Sequence, residues 1–356
     1  MGTQGDILIV VHGPGRGRGV PTGNVFMERL QATDPAFAAR FRVHETGSGA
    51  ADLSNVALVL FWLGDPLREK YPACFMEAME IAAAARSANI RILNSPEALS
   101  NTTKTRQSAI WHKERVPSAR ARIVNEPENL AQVCKDLGGI CIVRSDVEHA
   151  QRDVLIVRNE ADVRRAVETC EFPVAVIQKF DIRGEYRAAG AEPSSLFRRY
   201  HHKARAFVFG DAVMRSHLFF ASGPVVGLSN CLLKREARPR RRLGHRFGYN
   251  RKLFDDMIRE DKAYFEVDPL YARTLAHGVR ALGLDFAAVD YSIRPDGSVV
   301  LWEANPYFWL PRGEESVLSE ERNAVERVNK SLDWMAGQLR MAVADEQDLT
   351  DMMRAS

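Results

Sequence analysis

LDFAAVDYSIRPDGSVVLWEANP, residues 284–306, is the stretch that decides the fold. Two runs rich in β-branched and aromatic residues flank Pro295-Asp296-Gly297-Ser298, and Asp-Gly is a favoured two-residue hairpin loop because both loop positions need positive φ. Such a loop at Asp296-Gly297 fixes a register: Pro295 faces Ser298, Asp290 faces Glu303, and Ala288 faces Asn305. Strand side chains alternate, so Val289, Tyr291, Ile293, Val300, Trp302 and Ala304 share one apolar face that belongs to the core. On the other face Asp290 and Glu303 stand roughly 5 Å apart at Cβ, where like charges destabilise a pair. A hard divalent cation relieves that repulsion. Mg²⁺ takes a few carboxylate or amide oxygens together with substrate phosphates, and Asn305 adds a neutral oxygen on the same side. The competing reading is that one carboxylate pairs with an arginine such as Arg205.

Working outward, the chain alternates strand-like and helix-like patterns without internal repeats, which argues for an α/β (α+β) fold. Apolar runs at Asp6 to Val11 and Val56 to Trp62, the helical CFMEAMEIAAAARSA at 74–88 and a short strand at Ile90 to Leu93 make a small parallel-sheet unit over residues 1–94. The pattern restarts after Asn94, with Ser95 as a helix N-cap. Helices at Thr103 to Glu114, Glu126 to Leu137 and Ala161 to Cys170 interleave with strands at Arg120 to Val124, Ile140 to Arg144, Val154 to Val157 and Val174 to Phe180. Residues 95–175 form a second unit on this reading, and residues 176–341 a third. The third holds a hairpin turning at Gly210-Asp211, helices near Lys252 to Lys262 and Asp268 to Leu282, the hairpin above and a charged helix from Glu315 to about Met341. Residues 342–356 read as a loose tail.

With 356 residues, the chain is long enough for two or three units at roughly 100–200 residues each. It has no run near the ~20 apolar residues that a membrane helix needs. The opening MGTQGDILIVV lacks a basic region before its apolar stretch and reads as a first strand, not a signal peptide. Cys74, Cys134, Cys141, Cys170 and Cys231 are scattered and never spaced CxxC, so the expectation is a reducing cytoplasm with neither disulfides nor zinc. Net charge is +3, yet KREARPRRRLGHRFGYNR at 234–251 concentrates positive charge. That segment reads as a solvated loop, or as an anion contact. No nucleic-acid reader motif accompanies it, and aromatics are not interleaved as stacking platforms.

The Asp290, Glu303 and Asn305 pattern resembles the metal-binding end of the ATP-grasp ligases, the superfamily of glutathione synthetase and the ribosomal-protein glutamate ligases. The resemblance runs from about Asn94 to Phe308 and rests on the order of several parts. NSPEALSNTTKTRQSAI (94–110) is similar to the family's opening segment, with Lys104 in the place of its first ATP-contacting lysine. ICIVR (140–144) resembles the strand carrying the second basic contact, filled here by Arg144. Gln178, Lys179 and Phe180 resemble the hinge whose backbone holds adenine. HHKARAFVFGDAVMRSHLFF (201–220) is similar to the strand pair in which an arginine meets the γ-phosphate, here Arg205, and His217 on its second strand faces the same cleft. Each of these has a plainer reading, as a surface lysine, a strand end or an interior histidine.

The resemblance implies an ATP-grasp fold preceded by an N-terminal parallel-sheet domain, with ATP and Mg²⁺ (or Mn²⁺) as cofactors. It implies a ligase joining a small-molecule or peptide carboxylate to an amine, or less often another nucleophile, through an acyl phosphate, with Arg205 and Arg144 stabilising the transferred group. Where the family carries a glycine-rich lid, this chain has SDVEHAQRD at 145–153, with no glycine. Side-chain contacts from His149 and Arg152 are one substitute; a nucleotide-binding protein with little turnover is the alternative. HGPGRGRG at 12–19 is not GxGxxG, so a dinucleotide-binding oxidoreductase is rejected. Phe308, Trp309 and Leu310 either pack in the core, line a pocket or form a subunit contact.

Overall fold

A computed structural model describes residues 5–16, 21–148, 154–183, 200–227, 231–232, 249–266, 270–308, 310 and 324–344. His149 and Arg152, residues 234–248 of the basic segment, Trp309 and residues 345–356 lie outside them. The described residues form three four-stranded sheets. Strands β1 (Asp6–Val11), β2 (Phe41–Glu45), β3 (Val56–Phe61) and β4 (Arg91–Leu93) form a parallel sheet in the order β2-β1-β3-β4. Its central strands are apolar on both faces, as parallel strands between helices must be. Leu8, Val10, Val59 and Phe61 pack toward Ala78, Ala82 and Ala85 of helix Pro72–Ser87, while Ile7, Ile9, Leu58 and Leu60 pack toward Phe26 and Leu30 of helix Pro21–Thr33.

Strands β5 (Ala121–Val124), β6 (Cys141–Arg144), β7 (Leu155–Val157) and β8 (Val174–Gln178) make an antiparallel sheet, β5-β8-β6-β7. Helices Leu130–Asp136 and Glu160–Thr169 share a small core with it, including Leu130, Val143, Ala166 and Val176. The helix expected over Glu126 to Leu137 is divided: Pro127–Asn129 is a 3₁₀ turn, and the α-helix starts at Leu130.

Strands β9 (His201–Phe209), β10 (Ala212–Ala221), β11 (Phe286–Ile293) and β12 (Val299–Asn305) form the third sheet, antiparallel in the order β10-β9-β11-β12. Its rear face packs with Tyr264 of helix Tyr249–Glu266 and Leu275 and Val279 of helix Ala272–Ala281. Its front face starts apolar, where Phe207, Phe286 and Ala288 join Phe308, Leu310 and helix Ala324–Val343 in the core shared with the parallel sheet. Phe308 and Leu310 are thus core residues. Asn94 ties β4 to the start of β11: Oδ1 accepts from the Asp285 and Phe286 N–H groups at 2.8 and 3.1 Å, and Nδ2 donates to the Phe286 carbonyl at 3.0 Å. Among the described residues no helix is long and apolar enough to cross a membrane.

The β11–β12 hairpin pairs Asp290 with Glu303 and Ala288 with Asn305, as expected, but by a different route. Proline has no N–H and cannot close a two-residue loop against Ser298. The closing pair is therefore Arg294 and Ser298 (N to O, 2.7 Å), around a three-residue loop in which Gly297 has φ of 82°. This moves β12 by one residue, and Ile293 pairs with Val299. An extra residue at Trp302, a β-bulge between the pairs Asp290–Glu303 and Tyr291–Leu301, restores the expected register. Between turn and bulge the faces of β12 are inverted. Val299 and Leu301 enter the core cluster beside Val289, Tyr291 and Ala304, whereas Val300, buried on the other side of the strand, and half-buried Trp302 lie outside that cluster.

Candidate active site

Past Ala288 the front face of the third sheet turns ionic. Asp290 of β11 is opposite Arg205 of β9 in the strand register and is 4% exposed. Arg205 reaches its carboxylate with Nε and Nη2 at 2.6 and 3.0 Å, and Lys203 donates to Oδ2 at 2.8 Å. Lys203 and Arg205 share the face because they are two residues apart on one strand. Burial alone pushes the Asp290 carboxyl up, but Arg205 and Lys203 outweigh it and hold it below the usual carboxylate range. Burial likewise works against the Arg205 charge, and Asp290 and Glu303 together raise its pKa above the usual value.

Glu303, across from Asp290, forms an ion pair with Lys104, which is 6% exposed. Lys104 begins helix Lys104–Lys113, whose first turn is capped twice. Thr103 Oγ1 accepts from the Arg106 N–H at 3.2 Å, and Asp146, beyond β6, accepts from the Thr105 N–H and hydroxyl, both at 2.8 Å. One helical turn on, Gln107 bonds to both backbone groups of Ala304, between Glu303 and Asn305. The repulsion expected between Asp290 and Glu303 is thus already answered by three protein cations, not by a divalent ion alone, and the Arg205 pairing expected as the competing reading is present. Among the described residues no three side chains of His, Cys, Asp and Glu converge as a metal-holding group.

No family model matches the chain, and no curated protein matches it. Solved structures do. The ATP-grasp ligase PsnB complexed with minimal precursor, Mg and ADP aligns at a TM-score of 0.51 and 14% identity, covering 91% of this chain and 98% of that one. PsnB with precursor peptide PsnA2 and AMPPNP aligns at 0.50 and 14%, covering 92% and 98%. The D-cycloserine synthetase DcsG aligns at 0.50 and 14%, covering 92% and 99%. The chain has the ATP-grasp fold.

In this ATP-grasp chain the segment after β8 crosses to the ionic face. The Lys179 N–H bonds to the Ile140 carbonyl at 3.0 Å, and its ammonium lies 3.8 Å from the centre of the Trp302 ring. Burial, then the charge of Lys203, push the Lys179 pKa down to about 7. Phe180 stands between Trp302, at 6.0 Å between rings, and the Arg294 guanidinium, at 4.5 Å. Gln178 points elsewhere, accepting from the Arg120 N–H at 3.4 Å. Arg144 is buried at the end of β6 and donates to the Glu148 carbonyl. His217 is opposite Arg205 in the β9–β10 register, stacked on Phe219 at 4.0 Å, with Nδ1 3.0 Å from the Ser216 hydroxyl.

Lys104, Arg205, Asp290 and Glu303 are therefore brought together, with Asn305 two residues from Glu303. Three side chains of this face escaped the sequence reading. Lys203 was legible from its spacing to Arg205. Trp302, whose Nε1 donates to the Ser292 hydroxyl at 2.7 Å, was hidden by the bulge. Gln107 acts on backbone and leaves no pattern in sequence.

Proposed function

We propose that this chain is an ATP- and Mg²⁺-dependent ligase that activates a carboxylate as its acyl phosphate and passes it to an amine. The observation that supports this best is the row of Lys104, Lys203 and Arg205 around the facing carboxylates Asp290 and Glu303. Cations outnumber anions there, as a site for a polyphosphate requires. PsnB, described with Mg and ADP and with a precursor peptide, and DcsG, a synthetase, have the same fold. On this reading residues 1–94 help to receive the acceptor, 95–175 cover the nucleotide and 176–341 hold the phosphates. Free cysteines accord with a cytoplasmic setting.

The donor set suits a hard ion: two carboxylates on facing strands and the Asn305 amide oxygen, too few for a protein cage and right for Mg²⁺ sharing phosphate oxygens. When bound, the ion neutralises charge on the transferred phosphoryl group. The substrate carboxylate oxygen attacks the γ-phosphorus and ADP leaves. The amine nitrogen then attacks the acyl carbon, phosphate departs with the C–O bonding pair, and the nitrogen gives up its proton. Arg205 and Arg144 stabilise charge on the phosphoryl oxygens, Lys104 and Lys203 hold Glu303 and Asp290 in line, and the hinge Gln178 to Phe180 with Trp302 seats the base. His217 borders the cleft opposite Arg205.

The test is phosphate release from MgATP across a panel of small and peptide carboxylates, with hydroxylamine as the trapping amine. Release should depend on one class of carboxylate and drop about 10²-fold or more in Arg205→Met. ATP that binds and is never consumed by any carboxylate would sink the ligase reading. It would favour a nucleotide-binding protein with little turnover. One feature supports that second reading: the glycine-free stretch after β6 is anchored at its start, by Asp146 on the 104–113 helix and by Glu148 on Lys70 at 3.0 Å.

A further inference from the structure

Lys104 and Arg144, the two basic residues expected at the nucleotide, come from separate elements: Lys104 opens the helix Lys104–Lys113, and Arg144 ends β6. Neither element alone fixes the spacing between them. Asp146, two residues beyond Arg144, does so. Its backbone carbonyl accepts from the Lys104 N–H at 3.2 Å, and its carboxylate accepts from the Thr105 N–H and hydroxyl, both at 2.8 Å. Three hydrogen bonds thus clamp the chain just after Arg144 to the first turn of the helix, where free N–H groups and the helix dipole favour a carboxylate. That turn already has its own N-cap in Thr103, which accepts from the Arg106 N–H. The helix therefore does not depend on Asp146 for a cap, and the clamp calls for a second purpose.

Both ends of the clamp carry charge into the site. On the helix side Lys104 pairs with Glu303, and Gln107, one turn on, holds both backbone groups of Ala304. A shift of the first turn would carry Lys104 and Glu303 with it. On the strand side Arg144 is buried and donates to the Glu148 carbonyl, while its Nε is buried with no hydrogen-bond partner among the described residues. A buried cationic donor left in that state is costly until an anion or water reaches the group. Glu148 in turn pairs with Lys70 at 3.0 Å, so the segment from Arg144 to Glu148 is held against two neighbouring elements.

We infer that Asp146 is a positioning residue of the nucleotide site, setting Arg144 and Lys104 at the spacing that one polyphosphate bridges. This role rests on the ligase reading, which supplies the ATP. Asp146 itself touches no phosphate. Its carboxylate is engaged on Thr105, and it acts only through the two cations that it holds in place.

The test measures, on the full chain, the binding of AMPPNP with Mg²⁺ by calorimetry and of adenosine by saturation-transfer NMR. Asp146→Ala should weaken AMPPNP about tenfold, the loss of a charged hydrogen bond to phosphate, and leave adenosine, which has no phosphate, within about twofold. Asp146→Asn can keep both side-chain contacts, its amide oxygen on the Thr105 N–H and its amide N–H on the hydroxyl oxygen, and should stay within about threefold of the unaltered chain. In an Arg144→Met background, Asp146→Ala should cost less than about threefold, because one of the cations it places is gone. Thermal melting verifies folding; should Asp146→Ala not fold, Thr105→Ala, which removes the hydroxyl contact alone, should weaken AMPPNP about threefold and leave adenosine unchanged. Equal weakening of AMPPNP and adenosine would reduce Asp146 to a structural cap and overturn the proposal. So would full additivity with Arg144→Met, or an AMPPNP affinity unmoved by both Asp146→Ala and Thr105→Ala. The two readings fail separately. AMPPNP bound undiminished by Asp146→Ala removes this role alone, whereas the expected pattern in a chain that never consumes ATP removes the ligase reading alone.

Discussion

Gln107 hydrogen-bonds to both backbone groups of Ala304, Nε2 donating to the carbonyl at 3.0 Å and Oε1 accepting from the N–H at 2.9 Å. One side chain thereby does for the outer edge of β12 what a further strand would do, at the residue between Glu303 and Asn305. Gln107→Leu leaves both groups buried without partners and is expected to cost about 2–4 kcal/mol. Urea unfolding checks this. A loss under about 0.5 kcal/mol would mean that water replaces the amide.

Because Asp290 and Glu303 already have cationic partners, a divalent ion offered alone must displace Lys203, Arg205 or Lys104. Calorimetry with MgCl₂ and no nucleotide should give no binding heat, while Mg²⁺ should strengthen ATP uptake about tenfold or more. In Asp290→Asn that strengthening should vanish. Tight uptake of Mg²⁺ by the nucleotide-free chain would contradict the picture of a site organised by its own cations.

What sequence could and could not show is clearest on β12. The pairing of Asp290 with Glu303 was legible because two departures cancel, a three-residue turn enforced by Pro295 and a bulge at Trp302. Period-two counting had no means to see the bulge, since the surrounding packing selects it, and so it sent Trp302 into the core. The central strands of the parallel sheet and the helix Pro72–Ser87 were read nearly to the residue from apolar run and composition. β2 and helix Pro21–Thr33 were not: β2 is a short edge strand, FRVHE, with only His44 buried, and the helix carries glycine and threonine at its start. Cation placement was half legible. Arg205 and Lys104 follow from spacing and resemblance, whereas that they neutralise the carboxylates depends on tertiary approach.

Lys179, with its pKa near 7, is partly uncharged at neutral pH, and a triphosphate arriving nearby favours the charged form. ATP binding above pH 7 should therefore take up a proton, and affinity should fall as pH rises through that value. Calorimetry in buffers of different ionisation enthalpy measures the uptake. Lys179→Met should abolish it; persistence of the uptake in that variant would assign the proton to another group.

His202 is buried, its Nε2 accepting from the Ile293 N–H at 3.0 Å, and burial pushes its pKa down to about 3. The unfolded chain, with histidine near 6.5, binds the proton that the folded chain refuses. Stability should accordingly be full above about pH 6.5 and fall by about 1.4 kcal/mol per pH unit from this residue as pH drops toward 3. Thermal melting from pH 8 to pH 4 should show a shallower acid decline in His202→Asn. An unchanged decline would move the acid sensitivity to other groups, His12 first.

Asn94 joins β4 to the start of β11 through three side-chain hydrogen bonds while its own backbone sits at φ of 52°, a conformation suited to asparagine or glycine. The two features can be separated. Asn94→Gly keeps the backbone and removes the amide, leaving the Asp285 and Phe286 N–H groups to find other partners, with an expected loss of about 2–4 kcal/mol. Asn94→Ala removes the amide and adds left-handed strain, for about 1 kcal/mol more. Urea unfolding of the two variants gives both figures, and the difference isolates the backbone component. Since the staple is what sets the parallel sheet against the ionic sheet, nucleotide uptake should weaken in Asn94→Gly even at temperatures where it remains folded. Equal stability in the two variants would remove the strain argument, and unaltered uptake would show that the core around Phe207, Phe286 and Phe308 holds the sheets in place without Asn94.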